Sequence, residues 1–217
     1  MTKQDVAYTG RTKYDEQRSR KYQKRPPAKH LAEMRLLDNA FALIPKQGQV
    51  LDVPCGGGRV TIHLAENGYK IRAADLSDAM IAIARENIAK AGLKTTVEKQ
   101  DVEKLTLADR SIDTIVSFRL FHHFPNTQIR ERVVSEFCRV ATKNVVLSYF
   151  SPVSFTSAKN KLRAVIAGKP PKKYATSLSE IKGYFRKCGF RFVKDFAQTP
   201  LIHTLHVAVF ERSEKTQ

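Results

Sequence analysis

Short apolar runs alternate with amphipathic stretches between residues 49 and 147, a pattern typical of strands joined by crossover helices. The apolar runs predict strands over residues 49–53, 70–74, 95–98, 112–117 and 144–147. The stretches between them predict helices over residues 60–67 and 130–140, and a third between Ser77, a potential N-cap, and Gly92. Right-handed crossovers make such strands parallel, so a ligand is expected beyond their carboxyl ends.

The pattern changes after the fifth strand. Residues 190–196 and 201–210 are two β-like runs around a short turn, which predicts an antiparallel hairpin. Residues 151–187 are basic, and we predict two short helices in them around a loop at residues 168–173. The chain of 217 residues is therefore predicted to be one domain that ends in a hairpin.

Positive charge is concentrated in two segments. The net charge is +17 and the pI is about 9.9. Residues 1–30 hold nine Lys and Arg against three acidic residues, and residues 156–195 hold eleven against two, so the rest of the chain is close to neutral. Such local basicity favours an anionic partner, although solvated basic surfaces are the alternative.

Several other classes of protein are not indicated. No apolar run approaches the roughly 20 residues of a membrane span, and residues 1–17 lack the apolar middle of a secretory signal, so we predict a cytoplasmic protein without a transmembrane segment. Cys55, Cys138 and Cys188 are scattered without CxxC spacing, which predicts reduced thiols. His203 and His206 are three apart in a predicted strand and point to opposite faces, so no metal is predicted.

The most informative segment is VLDVPCGGGRVTIHLAENGYKIRAADLS, residues 50–77. Asp52 ends the first strand, three glycines follow it, and Asp75 ends the second strand, an arrangement typical of a nucleoside site. A dinucleotide loop requires GxGxxG, but Thr61 occupies the last glycine position, and Asp52 would repel a pyrophosphate. A ligand with an ammonium and a sulfonium would be attracted instead, which favours S-adenosylmethionine.

Four segments stand in a recognisable order over about residues 45–150: LDVPCGGGR, ADLS, EKQDVEKL and DTIVSFRLFHHF. Together they resemble the successive motifs of class I S-adenosylmethionine-dependent methyltransferases. The resemblance implies that activity (EC 2.1.1.-) and that cofactor. It also implies an α/β fold, a Rossmann-like doubly wound sheet of about seven strands that is mostly parallel and ends in the C-terminal antiparallel hairpin.

The same resemblance divides the domain into regions. Residues 1–45 would form a basic N-terminal helical cover, and residues 46–150 the cofactor-binding core. Residues 151–189 would form a basic helical insertion, and residues 190–217 the C-terminal hairpin.

Ten residues are assigned to the cofactor by the resemblance. They are Asp52, Gly56 and Gly58 at the methionine end, Asp75 at the ribose, Leu76, Asp101 and Val102 at the adenine, Phe118 near the sulfonium, and in addition Pro54 and Met80. Pro54 departs from the family, which commonly has its first glycine there. Because proline restricts φ and removes a donor, a slightly different loop geometry is expected.

The sequence indicates fewer candidates for the residues that contact the methyl acceptor or take part in the transfer. Methyl transfer requires mostly alignment and desolvation, with a base only where the nucleophile carries a proton. His122 and His123 follow the fourth strand, and His123 is the preferred base, with packing as the alternative for both. Arg119 is a candidate contact for a substrate carboxylate or phosphate, and otherwise a surface arginine. Tyr14 and Tyr22 are candidates for the substrate cover, and otherwise packing residues.

The regions that commonly build the substrate cover in this family are those that hold most of the positive charge. We therefore expect an anionic acceptor, namely a phosphorylated metabolite, a glycolipid or RNA, and peripheral membrane contact is a further expectation. Three functions stay open: a methyltransferase for an anionic small-molecule or lipid- or glycan-linked acceptor, an RNA methyltransferase, and a noncatalytic cofactor- or RNA-binding module. The Asn/Asp-Pro-Pro-aromatic signature of base amine methylation is missing after the fourth strand.

Overall fold

The computed structural model describes residues 26–153, 173–197 and 204–213. The elements, in chain order, are α1 (Pro27–Phe41), β1 (Gln49–Asp52), α2 (Arg59–Glu66), β2 (Lys70–Asp75), α3 (Asp78–Lys90), β3 (Val97–Lys99), β4 (Ile112–Ser117), a 3-10 turn (Phe121–His123), α4 (Thr127–Val140), β5 (Ala141–Phe150), α5 (Leu178–Lys187), β6 (Phe190–Ala197) and β7 (Leu205–Arg212).

The strands form one seven-stranded sheet in the order β3-β2-β1-β4-β5-β7-β6. The first five strands are parallel to one another, and β7 is antiparallel to both β5 and β6. The predicted α/β class and C-terminal hairpin are therefore confirmed. It is the second strand of the hairpin, β7, that pairs with β5, so β6 lies at the edge of the sheet.

Helices cover both faces of the sheet. One face packs apolar side chains of α4 and α5 against the strands, among them Phe137 and Phe185. The other face carries α1, α2 and α3, with Leu37, Leu64 and Ile88 in the core. Because both faces are covered, the parallel strands are apolar on both sides, which explains the near-continuous apolar runs in the sequence.

Strand and helix positions agree with the prediction, with differences at several ends. Strand β4 has the predicted bounds, and Ser77 caps α3 as predicted, its Oγ accepting from the Met80 N–H at 3.3 Å. Strand β5 is longer than the predicted 144–147 at both ends, because Ala141 pairs with Ile112 of β4 and β7 pairs with the strand as far as Phe150. One helix of the basic insertion is α5, while residues 154–172, like 1–25 and the predicted turn at 198–200, lie outside the described residues.

No helix among the described residues is both long enough and apolar enough to cross a membrane.

Candidate functional site

The carboxyl ends of β1 and β4 lie side by side at the centre of the sheet. The chain runs from β1 to β2 and β3 on one side, and then returns to β4 and β5 on the other. Such a reversal of strand order opens a crevice beyond the carboxyl ends, which is where α/β sheets bind ligands. The loop after β1 enters this crevice.

Both neighbouring strands hold the start of this loop. The Val53 N–H donates to the Val116 carbonyl of β4 at 3.0 Å, and the Cys55 N–H donates to the Ala74 carbonyl of β2 at 2.8 Å. Pro54, between them, follows a cis peptide bond and is partly exposed. Hydrogen bonds to β4 and to β2 therefore fix the backbone just before the glycines of the loop.

Two glycines give the loop its turn. Gly56 and Gly58 have φ angles of +53° and +81°, in the left-handed region that favours glycine. A Cβ atom at Gly58 would lie 3.4 Å from Ile88 of α3, whereas one at Gly56 would meet nothing within 4 Å. Asn87 of α3 also donates to the Gly57 carbonyl at 2.9 Å, a contact that the sequence analysis missed. Helix α3 thus packs against the loop at Gly57 and Gly58, whereas the space beside Gly56 is open.

Asp75 ends β2 next to this loop, and both of its carboxylate oxygens accept backbone hydrogen bonds. Oδ2 accepts from the Gly56 N–H at 2.8 Å, and Oδ1 accepts from the Ser77 N–H at 2.9 Å. Burial raises the pKa of Asp75, and these backbone donors oppose the rise. Each carboxylate oxygen has a second lone pair, so Asp75 can still accept from a pair of vicinal hydroxyls.

Asp52 ends β1 and is fully buried. Its Oδ2 accepts from the Thr61 hydroxyl at 2.6 Å, while its Oδ1 has no hydrogen-bond partner among the described residues. Burial raises the pKa of this carboxyl from 3.8 to about 7, the charge of Asp75 adds to the rise, and Thr61 and Arg59 oppose it. A buried acceptor without a partner costs about 1–3 kcal/mol, so this oxygen is suited to a ligand that donates or is positively charged.

The predicted adenine contacts lie around the ends of β2 and β3. Leu76 is 36% exposed, although it directly follows a buried strand. Met80 and Val102 are buried, and Asp101 is partly exposed. The Gln100 N–H donates to the last carbonyl of β2 at 3.0 Å, which brings the two loops together. An apolar side chain next to two acidic ones is a suitable surface for a nucleoside.

The end of β4 combines an aromatic ring with two guanidinium groups. The ring of Phe118 is buried, with the Arg59 guanidinium 5.5 Å from its centre. Arg119 has a φ of +63°, which is uncommon outside glycine and costs about 1–2 kcal/mol. Its N–H donates to the Ser148 hydroxyl at 2.5 Å, which holds this conformation. Such strain is common at functional sites.

Glu33 of α1 joins the two guanidinium groups, and the sequence analysis missed it. It is 1% exposed, and its carboxylate lies 2.9 Å from Arg59 and 3.0 Å from Arg119. The signal in the sequence was an acidic residue at helical spacing from Leu37 and Phe41, within the buried stripe of α1. The assignment of Arg119 to a substrate anion stays a prediction, and such an anion would share the guanidinium with Glu33.

The two histidines lie in the 3-10 turn after β4, and both are buried. The ring of His122 stacks on Phe150 of β5 with 4.0 Å between centres, and the His123 ring lies 4.2 Å from that of His122. The Tyr174 N–H donates to the His122 carbonyl at 2.8 Å, which brings the segment before α5 to this edge. A role of His123 as base stays a prediction.

The structure therefore brings the predicted cofactor residues to neighbouring strand ends: Asp52 at β1, Asp75 at β2, Asp101 after β3 and Phe118 after β4. Tyr14 and Tyr22 lie outside the described residues. Within the part of the chain that the structure describes, no three His, Cys, Asp or Glu side chains are grouped as metal ligands would be.

The doubly wound sheet, with a glycine loop between two strand-end acids at its centre, is typical of Rossmann-like domains. Residues 50–144 match the family described as "Methyltransferase domain". The match covers less than half of the chain, and for these residues it confirms the resemblance to class I methyltransferases.

Three similar proteins illustrate the range of the comparison. The ubiquinone biosynthesis O-methyltransferase of Coxiella burnetii is 34% identical over 83 residues, 38% of this chain and 36% of that protein. The S-adenosyl-L-methionine-dependent Diels-Alderase iliD of Neonectria is 42% identical over 85 residues, 37% of this chain and 34% of that protein. The chain thus spans about a third of the length of these curated relatives.

The third is a solved structure, the magnesium protoporphyrin IX methyltransferase of Synechocystis with bound S-adenosylhomocysteine. It has a TM-score of 0.73 and 19% identity, and covers 94% of this chain and 96% of its own. At this identity the likeness shows the fold alone, which agrees with the predicted Rossmann-like sheet.

Proposed function

We propose that the protein is an S-adenosylmethionine-dependent methyltransferase. The observation that carries the proposal is the buried Asp52, whose Oδ1 lacks a partner among the described residues, beside the open Gly56 loop. A dinucleotide would bring a pyrophosphate to this carboxylate, whereas S-adenosylmethionine brings an ammonium and a sulfonium.

The residues present fit this cofactor. Asp52 would attract its positive end, and Asp75 keeps free lone pairs for the two ribose hydroxyls. The exposed side chain of Leu76 would lose contact with water on an adenine ring, which favours binding by about 25 cal/mol per Å² of apolar area. When bound, the cofactor supplies an electrophilic methyl group on sulfur.

The chain's own contribution to transfer would be alignment and exclusion of water at the end of β4. Phe118, His122, His123 and Phe150 are all at most 9% exposed there, so they form a largely apolar wall. A low-dielectric wall favours a displacement in which a sulfonium charge disappears. His123 is our candidate for the base, which would accept the proton of an oxygen or nitrogen nucleophile.

For the acceptor, we propose an anionic small molecule, or an anionic group linked to lipid or glycan. Two described cations approach Phe150 at the site: the Arg119 guanidinium lies 5.7 Å from the ring centre, and the Lys173 Nζ lies 5.3 Å from it. Lys173 belongs to the basic segment of residues 156–195. The buried carboxylate of Glu33 holds the guanidiniums of both Arg59 and Arg119 at this end of the site.

The experiments below also distinguish two alternative functions. An RNA methyltransferase would use the basic segments for phosphates, with strongly salt-dependent binding. A noncatalytic module would bind the cofactor without transferring its methyl group, and one similar protein is named a Diels-Alderase. Peripheral contact with an anionic membrane would fit the lipid-linked acceptor.

Cofactor binding is tested first, by titration calorimetry with S-adenosylhomocysteine. Asp75→Asn should weaken binding at least about tenfold, because the carboxylate loses one acceptor of the ribose hydroxyls. Asp113→Asn is the matched control, since Asp113 lies at the opposite, amino end of β4 and pairs with Lys143. No binding by the unmodified chain, or equal loss in both variants, would overturn the assignment of the site.

The acceptor is then tested by transfer of labelled methyl from S-adenosylmethionine into a whole-cell extract that is separated into RNA, lipid and small-molecule fractions. Label in the lipid or small-molecule fraction supports the proposed acceptor, whereas label released by nuclease supports RNA. Binding without any labelled fraction supports the noncatalytic module. His123→Ala should lower transfer, while His63→Ala on the surface of α2 should not; equal rates would remove His123 as base.

A further inference from the structure

The guanidinium of Arg119 has a buried nitrogen without a hydrogen-bond partner among the described residues. The side chain is 10% exposed, and its Nη1 donates to a carboxylate oxygen of Glu33 at 3.0 Å. Its Nε is buried, and no described group accepts a hydrogen bond from it. Buried charged donors are normally paired, so this nitrogen is suited to a ligand that accepts a hydrogen bond.

The geometry of the guanidinium indicates what this ligand presents. Arginine binds a carboxylate side-on through Nε and Nη2, with two parallel hydrogen bonds. Glu33 is bound at Nη1 and therefore leaves the side-on edge to a second anion. The Arg119 N–H donates to the Ser148 hydroxyl, and the guanidinium carbon lies 5.7 Å from the centre of the Phe150 ring. These contacts orient the edge before a ligand binds.

The carboxylate of Glu33 favours a ligand with a single negative charge. Glu33 is 1% exposed and lies on the same guanidinium, so it repels a second anion there, although Arg59 at 2.9 Å from its other oxygen offsets part of the repulsion. The repulsion is about twice as large for a phosphate dianion, and a buried site contains little water to screen it. A carboxylate carries one charge and is planar like the guanidinium, so it fits this edge better than a phosphate.

We propose that the methyl acceptor is a carboxylic acid whose carboxylate binds to Nε and Nη2 of Arg119. This inference rests on the proposed function and names the group by which the acceptor is recognised. A carboxylate whose two oxygens accept from a guanidinium is a weaker nucleophile than a free one, so it serves as the anchor. The methyl group goes to another atom, and the product keeps its carboxylate. Because the rings of His122 and Phe150 stack beside this edge, an acid with an aromatic or apolar body fits best.

The cofactor also carries a carboxylate, on its methionine part, and calorimetry distinguishes this source from an acceptor. Arg119→Gln should bind S-adenosylhomocysteine within about threefold of the unmodified chain, because Asp52 and Asp75 are the groups that lie at the cofactor loop. Methylthioadenosine, which lacks the carboxylate, is the comparison. A loss of affinity in Arg119→Gln for S-adenosylhomocysteine alone would assign the edge to the cofactor and overturn the proposal.

Benzoate is the probe for the acceptor carboxylate, and benzamide is its neutral isostere. Both are titrated by ligand-observed NMR into the chain alone and into the chain saturated with S-adenosylhomocysteine. Arg119→Gln should weaken benzoate binding at least about tenfold and leave the weaker binding of benzamide unchanged. Arg119→Lys should lose nearly as much, because an ammonium lacks the planar fork. Arg72→Gln is the matched control, since the Nε of Arg72 already donates to Glu98 at 3.1 Å.

Three results of these titrations would contradict the proposal. They are equal binding of benzoate and benzamide, unchanged benzoate binding in an Arg119→Gln chain that circular dichroism shows to be folded, and phenyl phosphate binding more than about tenfold tighter than benzoate. Displacement of benzoate by S-adenosylhomocysteine would again assign the edge to the cofactor. If the unmodified chain does not bind S-adenosylhomocysteine, the proposed function fails, whereas the titration of the chain alone still tests the carboxylate site.

The labelled product of the whole-cell extract tests the role of the carboxylate as an anchor. The product should be retained by an anion exchanger at neutral pH, and its label should survive mild alkali, which hydrolyses methyl esters. Label released as methanol would show that the carboxylate itself is methylated, and a product without a carboxylate would show that another group is recognised. Either result would refute the inference, even though both would support a methyltransferase.

Discussion

Replacement of Asp52 by asparagine should stabilise the fold while it weakens cofactor binding. The carboxyl is fully buried, and its Oδ2 accepts from Thr61. An asparagine has the same shape and can still accept that hydrogen bond, but it carries no charge. The variant therefore isolates the cost of a buried negative charge.

The magnitude follows from the pKa of Asp52, which burial raises from 3.8 to about 7. The folded state holds its proton more tightly than the unfolded state, so the stability contributed by Asp52 falls as pH rises from about 4 to about 7. Above that range, the shift of roughly three pKa units lowers the free energy of unfolding by up to about 4 kcal/mol. Asp52→Asn should thus be more stable than the parent by up to about 4 kcal/mol at about pH 8, and by about 2 kcal/mol at about pH 5.

The assay is urea unfolding of both chains at these two pH values, since the difference between them cancels all other titrating groups. Asp113→Asn is a control of opposite sign, because Lys143 and the Gln49 N–H lower the pKa of Asp113, so its removal should destabilise the fold near neutral pH. A stability difference between Asp52→Asn and its parent that does not grow with pH would refute the reasoning. In calorimetry, Asp52→Asn should also bind S-adenosylhomocysteine more weakly.

Two further predictions concern the glycine loop after β1 and helix α1. Gly56→Ala and Gly58→Ala should each lower stability by about 1 kcal/mol because of their positive φ, but only Gly56→Ala should also weaken cofactor binding markedly, since its Cβ enters open space. Equal effects on calorimetric affinity would contradict this. Glu33→Gln should cost about 2–4 kcal/mol in urea unfolding, because it removes a buried carboxylate between two guanidiniums. Asp38→Asn on the exposed side of the same helix should cost under about 1 kcal/mol, and a similar loss in both would show that Glu33 does not anchor α1.

Local signals were sufficient for much of the fold. The bounds of β4 and the cap of α3 at Ser77 agree with the prediction, because apolar runs and capping side chains act within a few residues. Strand β5 was predicted too short for the opposite reason. Ser148 interrupts its apolar run, but β7 supplies hydrogen bonds to Phe150, and a strand's partner is not a local property.

By itself, the sequence determined the fold class, the parallel core, the glycine loop and the order of the strand-end acids. These depend on periodicity and on short motifs whose geometry is local. Only the tertiary structure decided that Glu33 lies between Arg59 and Arg119, and that the pKa of Asp52 is raised. Ion pairs and desolvation depend on which distant segments exclude water from one place, and residues far apart along the chain meet only when the sheet has formed.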